Sequence, residues 1–285
     1  MPARANLRAV FLMVGAMALF ASMDALNKSL TQGYPISQIL AIRFTLFVAF
    51  ACLLAKRGPW LVFESKAPWW QALRTAVLLV EMVSFILAFK YLPLAEVHAV
   101  AAAAPLLATA TAAIFLKEKV DPIGWGLVVG GMLGALLVIG PGFEQLGPAM
   151  WIAVLAMATW GVYQTLTRLI AGKDSTDVTT LHTPLVGLVF ASAVAYFDWR
   201  APDAAGWFWL IASGSLGAFA HICIVRALAI APASALQPYN YLLVAFVTFL
   251  GWLIYGDVPG MWTVIGAIVI CACGIAAMRR AAVKA

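Results

Sequence analysis

Charge is scarce in this sequence. Only 11% of its 285 residues are Asp, Glu, Lys or Arg, where a soluble domain carries about a quarter. That deficit excludes an ordinary soluble globular chain. Apolar and polar residues do not alternate with period two, which speaks against a membrane β-barrel. Cysteines number four, and Cys52, Cys223, Cys271 and Cys273 all lie inside apolar runs. Cys271 and Cys273 are two positions apart and point away from each other on a helix, so the expectation is buried small residues and neither disulfides nor metal ligands. HExxH and other metal-ligand spacings are missing, and so are a Walker sequence and a catalytic nucleophile motif. No metal, no cofactor and no enzymatic activity are expected.

What the chain does have is hydrophobic residues, 64% of the total, and a mean hydropathy of +0.97. They fall in runs of roughly 20, enough to cross a hydrocarbon core of about 30 Å as helix. Ten spans are predicted: 8–28, 36–55, 69–89, 93–115, 122–140, 148–170, 177–197, 206–229, 232–254 and 260–278. The linkers carry the breakers, as in Gln32-Gly33-Tyr34-Pro35 and Gly140-Pro141-Gly142. Arg4 and Arg8 before the first run resemble a signal peptide, but that run contains a repeated segment and is expected to stay in the fold.

The repeat is the main internal feature. Ala16–Leu30 returns 140 positions later as Ala156–Ile170, with Ala16, Met17, Ala18 and Leu26 unchanged. Phe20 becomes Trp160, Asp24 becomes Gln164 and Lys28 becomes Arg168. Pro93 matches Pro232 and Glu118 matches Asp257 at an offset of 139. An offset held over half the chain means duplication. The expected units are residues 1–141 and 147–285, five spans each. Five is odd, so the second unit enters the membrane upside down, as in secondary transporters that bind substrate near the midplane where the repeats meet. The predicted fold is therefore an all-α membrane protein of ten transmembrane helices in two inverted five-helix repeats.

Basic residues set the orientation. With the N-terminus inside, fourteen Lys and Arg residues lie at cytoplasmic ends, against only Lys28, Lys90 and Arg200 outside. Both termini are expected in the cytoplasm. The formal net charge of +6 then reports topology, and nucleic acid is not an expected partner.

Ions inside the spans are the candidates for chemistry. Asp24, Arg43 and Glu81 fall in spans one, two and three. Each costs at least about 2.5 kcal/mol against lipid, so they should face one another or a wet cavity. Arg43 can bridge two carboxylates through its planar fork, which makes it a structural charge cluster, while Glu81 or Asp24 can carry a proton or meet a substrate ammonium. His98, His182 and His221 lie within or near the membrane, where a single histidine is more often a packing residue than a ligand. The second unit offers neutral groups: Trp160, Tyr163 and Gln164 in span six, and Gln237 through Tyr241 in span nine. Pro238 should bend or loosen span nine. Gly126, Gly130 and Gly134 face Gly266 and Gly274 as small-residue stripes on spans five and ten, packed on each other or on a second protomer. The candidate substrate-binding set is Phe20, Asp24, Glu81, His98, Trp160, Tyr163, Gln164, Tyr239 and Asn240. Monomer and homodimer stay open.

These residues carry a resemblance. The two five-span halves, Tyr91–Val97 followed by Pro105 and Glu118, Asp24 with Lys28, Arg43, and the Ala229–Pro238 stretch resemble the EamA-type branch of the drug/metabolite transporter superfamily, including amino-acid exporters of the YddG type. The resemblance implies an inner-membrane secondary carrier that moves small metabolites by alternating access through a central cavity, often outward. Amino acids, aromatic ones included, are the leading substrates it implies. Nucleosides, vitamins or S-adenosylmethionine are the alternative, with a membrane-embedded enzyme as the rival class.

Overall fold

The computed structural model describes residues 7–55, 58–115, 121–139, 147–170, 173–230 and 236–284. Among them the regular elements are all helices: α1 (Leu7–Leu30), α2 (Ile36–Ala55), α3 (Pro68–Tyr91), α4 (Leu94–Ala101), α5 (Ala104–Phe115), α6 (Pro122–Ile139), α7 (Pro148–Ile170), α8 (Thr176–Asp198), α9 (Ala204–Ile230), α10 (Leu242–Tyr255) and α11 (Met261–Lys284). Two 3₁₀ segments, Pro59–Glu64 and Gln237–Tyr241, precede α3 and α10. Among the described residues seven segments are long and apolar enough to cross a membrane, and three shorter apolar helices, Pro122–Val138, Tyr239–Tyr255 and Met261–Ala277, make ten. In lipid the backbone must satisfy its own hydrogen bonds, which is why such sequences fold as helices. Pro68, Pro122 and Pro148 stand at the first turns of α3, α6 and α7, where a missing N–H costs nothing.

Prolines shape two of the spans. Span four is predicted as one helix but is broken into α4 and α5 at residues 102 and 103. Pro105 cannot donate to the carbonyl of Ala101, and the chain tightens instead, Leu106 N–H bonding to Ala103 O at 3.0 Å. Span nine is expected to bend or loosen at Pro238, and among the described residues Pro238 stands in the first turn of the 3₁₀ segment that leads into α10, a position that needs no proline N–H.

The packing follows the duplication. α1 lies on α9 and α7 lies on α3; α2 lies on α8, and α6 on α11. Replacing each span by its counterpart five spans along maps the first pair onto the second and each of the last two onto itself. α1 starts at the end of the bundle that holds Asp174, whereas α7 starts at the end that holds Lys28. The two halves therefore run in opposite senses. The α6–α11 contact is made by the glycine stripes. A Cβ on Gly266 would stand 2.5 Å from Gly134 O and 2.7 Å from Val138 N, both backbone atoms. The small residues thus let two helices of one chain touch along their backbones.

Both ends of the bundle are tied by polar contacts. At one end Ser37 Oγ donates to Asp198 Oδ1 at 2.8 Å, and the Gln38 amide pairs with the backbone of Arg200. At the other, Arg280 Nη2 meets Asp121 Oδ2 at 2.5 Å.

Candidate functional site

The intramembrane charges collect in one place. Asp24 on α1 is buried, and its Oδ2 lies 3.1 Å from Nε2 of the buried His98 on α4. Asn27, one turn along, reaches Asp24 Oδ1 at 3.4 Å and accepts from Ser213 Oγ at 2.8 Å, which links α1 to α9. Arg43 on α2 is only 4% exposed and interacts electrostatically with both Asp24 and Glu81. Yet its Nε and Nη2 have no hydrogen-bond partner, so neither carboxylate engages that side of the fork. Glu81 on α3 is partly accessible.

Aromatic rings enclose this group. Phe85 meets the His98 ring edge-on at 5.0 Å, and Phe89 stacks on it at 5.6 Å. His221 on α9 lies edge-on to Phe20 at 5.1 Å and to Phe47 at 5.2 Å, and it shares the electrostatic field of Arg43. It stands one and two turns along the helix face of Gly217 and Gly214, which pack against Met23, Phe47 and the backbone of Arg43. His221 is itself exposed. It shares with Gly214 and Gly217 the side of α9 turned toward α1 and α2, while Phe219, two positions away, points elsewhere.

A second polar group occupies the opposite half. Arg74 on α3 is 2% exposed. It donates to Tyr163 Oη at 3.2 Å, to Thr179 O at 2.8 Å and to Thr183 Oγ1 at 2.7 Å. Trp160 stacks on Tyr163 at 5.2 Å, and Gln164 has a buried Nε2 without a partner. Beyond them, at the end of the bundle, Asp174 accepts from Ser65 Oγ, Gln71 Nε2 and Lys66 N. Burial opposes the charge of Asp174, but these hydrogen bonds outweigh it and hold the carboxyl below its usual range.

Of the residues singled out from sequence, Asp24 and Glu81 thus lie in the field of Arg43, His98 joins through Asp24, and Phe20 borders His221. Trp160 and Tyr163 stand together with Arg74 instead. Tyr239 packs with Leu236, Met13 and Met17 in an apolar cluster that Phe20 also borders, and Asn240 follows it in the 3₁₀ segment. His221, Phe47 and Arg74 join the two groups without having been chosen. Arg74 reads in sequence as a topology cation, and a single histidine in an apolar run is a weak signal.

Comparison with known proteins identifies the scaffold. The EamA-like transporter family matches the chain twice, over residues 7–140 and 147–279. The chain belongs to the EamA-like transporter family. It is 28% identical to a riboflavin transporter of Vibrio cholerae over 70% of this chain and 68% of that protein. It is 24% identical to an S-adenosylmethionine uptake transporter of Rickettsia prowazekii, over 73% and 70% of the two chains. A solved crystal structure shares the EamA-like chain's fold with a TM-score of 0.63, at 19% identity over 97% of this chain and 99% of the other. The EamA-like protein is accordingly a multi-pass membrane transporter.

Proposed function

We propose that this EamA-like protein is an inner-membrane secondary carrier of a compact heteroaromatic metabolite of the riboflavin or S-adenosylmethionine class. Substrate would move by alternating access between the repeats 1–141 and 147–285. The observation that carries the reading is the group formed by Arg43, Glu81 and His221 in mid-span, walled by Phe20 and Phe47. Rings of this kind bind a flat apolar body through edge and stacking contacts, while the few polar groups fix its orientation. The names of the relatives fit this vitamin or S-adenosylmethionine alternative better than amino-acid export, the leading expectation from sequence.

Amino acids stay the rival, since Arg43 between two carboxylates also suits a zwitterion. Counterflow into proteoliposomes separates the readings. Vesicles preloaded with unlabelled riboflavin are expected to accumulate labelled riboflavin transiently and saturably. Accumulation of phenylalanine or tryptophan, with none of riboflavin or S-adenosylmethionine, would restore amino-acid transport.

A further inference from the structure

The side-on edge of Arg43 faces nothing that can accept its hydrogen bonds. Nε–H and Nη2–H point the same way from the guanidinium plane, which makes a two-pronged donor for a pair of adjacent acceptors. Both nitrogens are buried and without a hydrogen-bond partner. An unsatisfied buried donor costs about 1–3 kcal/mol, and more when charged. The Arg43 backbone lies close to α9, where a Cβ on Gly214 would stand 3.3 Å from the Arg43 Cα. A chain that only needed a counter-charge for Asp24 or Glu81 would gain by turning this edge toward one of them.

We infer that the Nε and Nη2 edge of Arg43 is the polar anchor of the substrate site, and that it receives a planar ligand through two adjacent acceptor atoms. The inference rests on the carrier reading given above. Riboflavin presents such a pair in N1 and the C2 carbonyl oxygen of its ring system. S-adenosylmethionine presents one in its carboxylate. Phe20, Phe47 and His221 then flank the ring body of the ligand. Both nitrogens are shielded in this conformation, so access requires the surrounding side chains to part, a motion open to an alternating carrier on the microsecond to millisecond scale.

Charge narrows the ligand further. Asp24 and Glu81 both act on Arg43, so two acidic side chains share the space around one guanidinium. A phosphate dianion would have to sit beside those two acidic groups. Neutral or cationic ligands with an acceptor pair are therefore taken, and their phosphorylated forms refused. Flavin mononucleotide, which differs from riboflavin only by its phosphate, makes that distinction cleanly.

The test uses the purified full chain and measures equilibrium binding of riboflavin by fluorescence. Arg43→Lys keeps the charge and removes the fork, and is expected to weaken riboflavin at least tenfold. On the unaltered protein, 1-deazariboflavin, which lacks the N1 acceptor, is expected to bind at least tenfold more weakly, and 5-deazariboflavin about as well as riboflavin. Flavin mononucleotide is expected to bind at least tenfold more weakly. Equal affinity of the unaltered protein for riboflavin and its 1-deaza analogue overturns the inference, whether or not Arg43→Lys folds. Equal affinity of a folded Arg43→Lys protein does the same. A protein that binds neither riboflavin nor S-adenosylmethionine instead overturns the carrier reading, and the inference with it.

Discussion

Replacing Arg74 by Ala is expected to lower the apparent melting temperature of the detergent-solubilised protein by roughly 10 °C, the largest effect of any single truncation in the bundle. The guanidinium holds three partners on two other helices: Tyr163 on α7, and Thr179 and Thr183 on α8. Truncation leaves those oxygens without their donor and opens a cavity where a long side chain stood. Leaving buried polar groups without their partner costs about 1–3 kcal/mol each, and in a chain of this size each kcal/mol moves the midpoint by about 2–4 °C. Arg74→Met separates the two contributions, because it fills the space without restoring a donor. It strands the same three partners and is expected to lose more than half as much. Equal midpoints for Arg74→Ala and the unaltered protein, followed by intrinsic fluorescence on heating, would mean that the three hydrogen bonds carry no stability.

Asp257→Lys is expected to reduce transport about tenfold or more, and Lys28→Asp combined with Asp257→Lys to recover most of it. Lys28 Nζ lies 2.7 Å from Asp257 Oδ2 and 3.2 Å from Leu92 O, with the Tyr255 ring 4.8 Å away. Tyr255 in turn donates to Ala25 O at 2.5 Å and meets Ser29 Oγ at 2.6 Å. The last turn of α1 is thereby fastened to the end of span nine. Gly256 makes this geometry available. Its φ of 70° is left-handed, a conformation glycine adopts without strain, and its N–H returns to Trp252 O at 3.0 Å. The helix stops there, and Asp257 turns back toward α1.

The side chains of Lys28 and Asp257 are 14% and 21% exposed, so solvent screens them only in part. Two like charges about 4 Å apart at an effective dielectric of 20 repel by about 4 kcal/mol, enough to part the helices. Simple neutralisation is a weaker test, because Glu96 shares the field of the same pair and can stand in for Asp257. Riboflavin counterflow in the single and double variants measures the effect. Failure of the double variant to recover, with the protein folded, would assign the contact to packing alone.

The parts of this architecture that show in the sequence are those with a one-dimensional signature. Apolar runs mark where helices lie, and the offset that carries Phe20 to Trp160 marks the duplication behind the exchange of α1–α9 for α7–α3 packing. Asp24, Arg43 and Glu81 stand out because a charge inside an apolar run is expensive, and the fold does bring them together. Contacts between distant segments leave no such trace. Lys28 and Asp257 are 229 positions apart, and nothing local to either names the other. Arg74 misleads for a physical reason: near a helix end it resembles a cation placed by topology, until α8 supplies the acceptors that draw it inward. Pro105 is the reverse case, a local break signal that the continuous hydrophobicity of span four hides in the sequence but that the backbone obeys at residues 102 and 103. His221 becomes a site residue only once α1 and α2 bring Phe20 and Phe47 to its ring.

Protection of a single thiol by substrate tests most directly whether that ring-lined interior is where substrate sits. In a protein with Cys52, Cys223, Cys271 and Cys273 replaced by Ala, His221→Cys places one thiol on the inner face of α9. The account predicts that a small water-soluble thiol reagent modifies it in proteoliposomes, and that saturating riboflavin slows the modification several-fold while flavin mononucleotide does not. Modification at the same rate with and without riboflavin, in protein that still performs riboflavin counterflow, would contradict it and place the substrate elsewhere in the bundle.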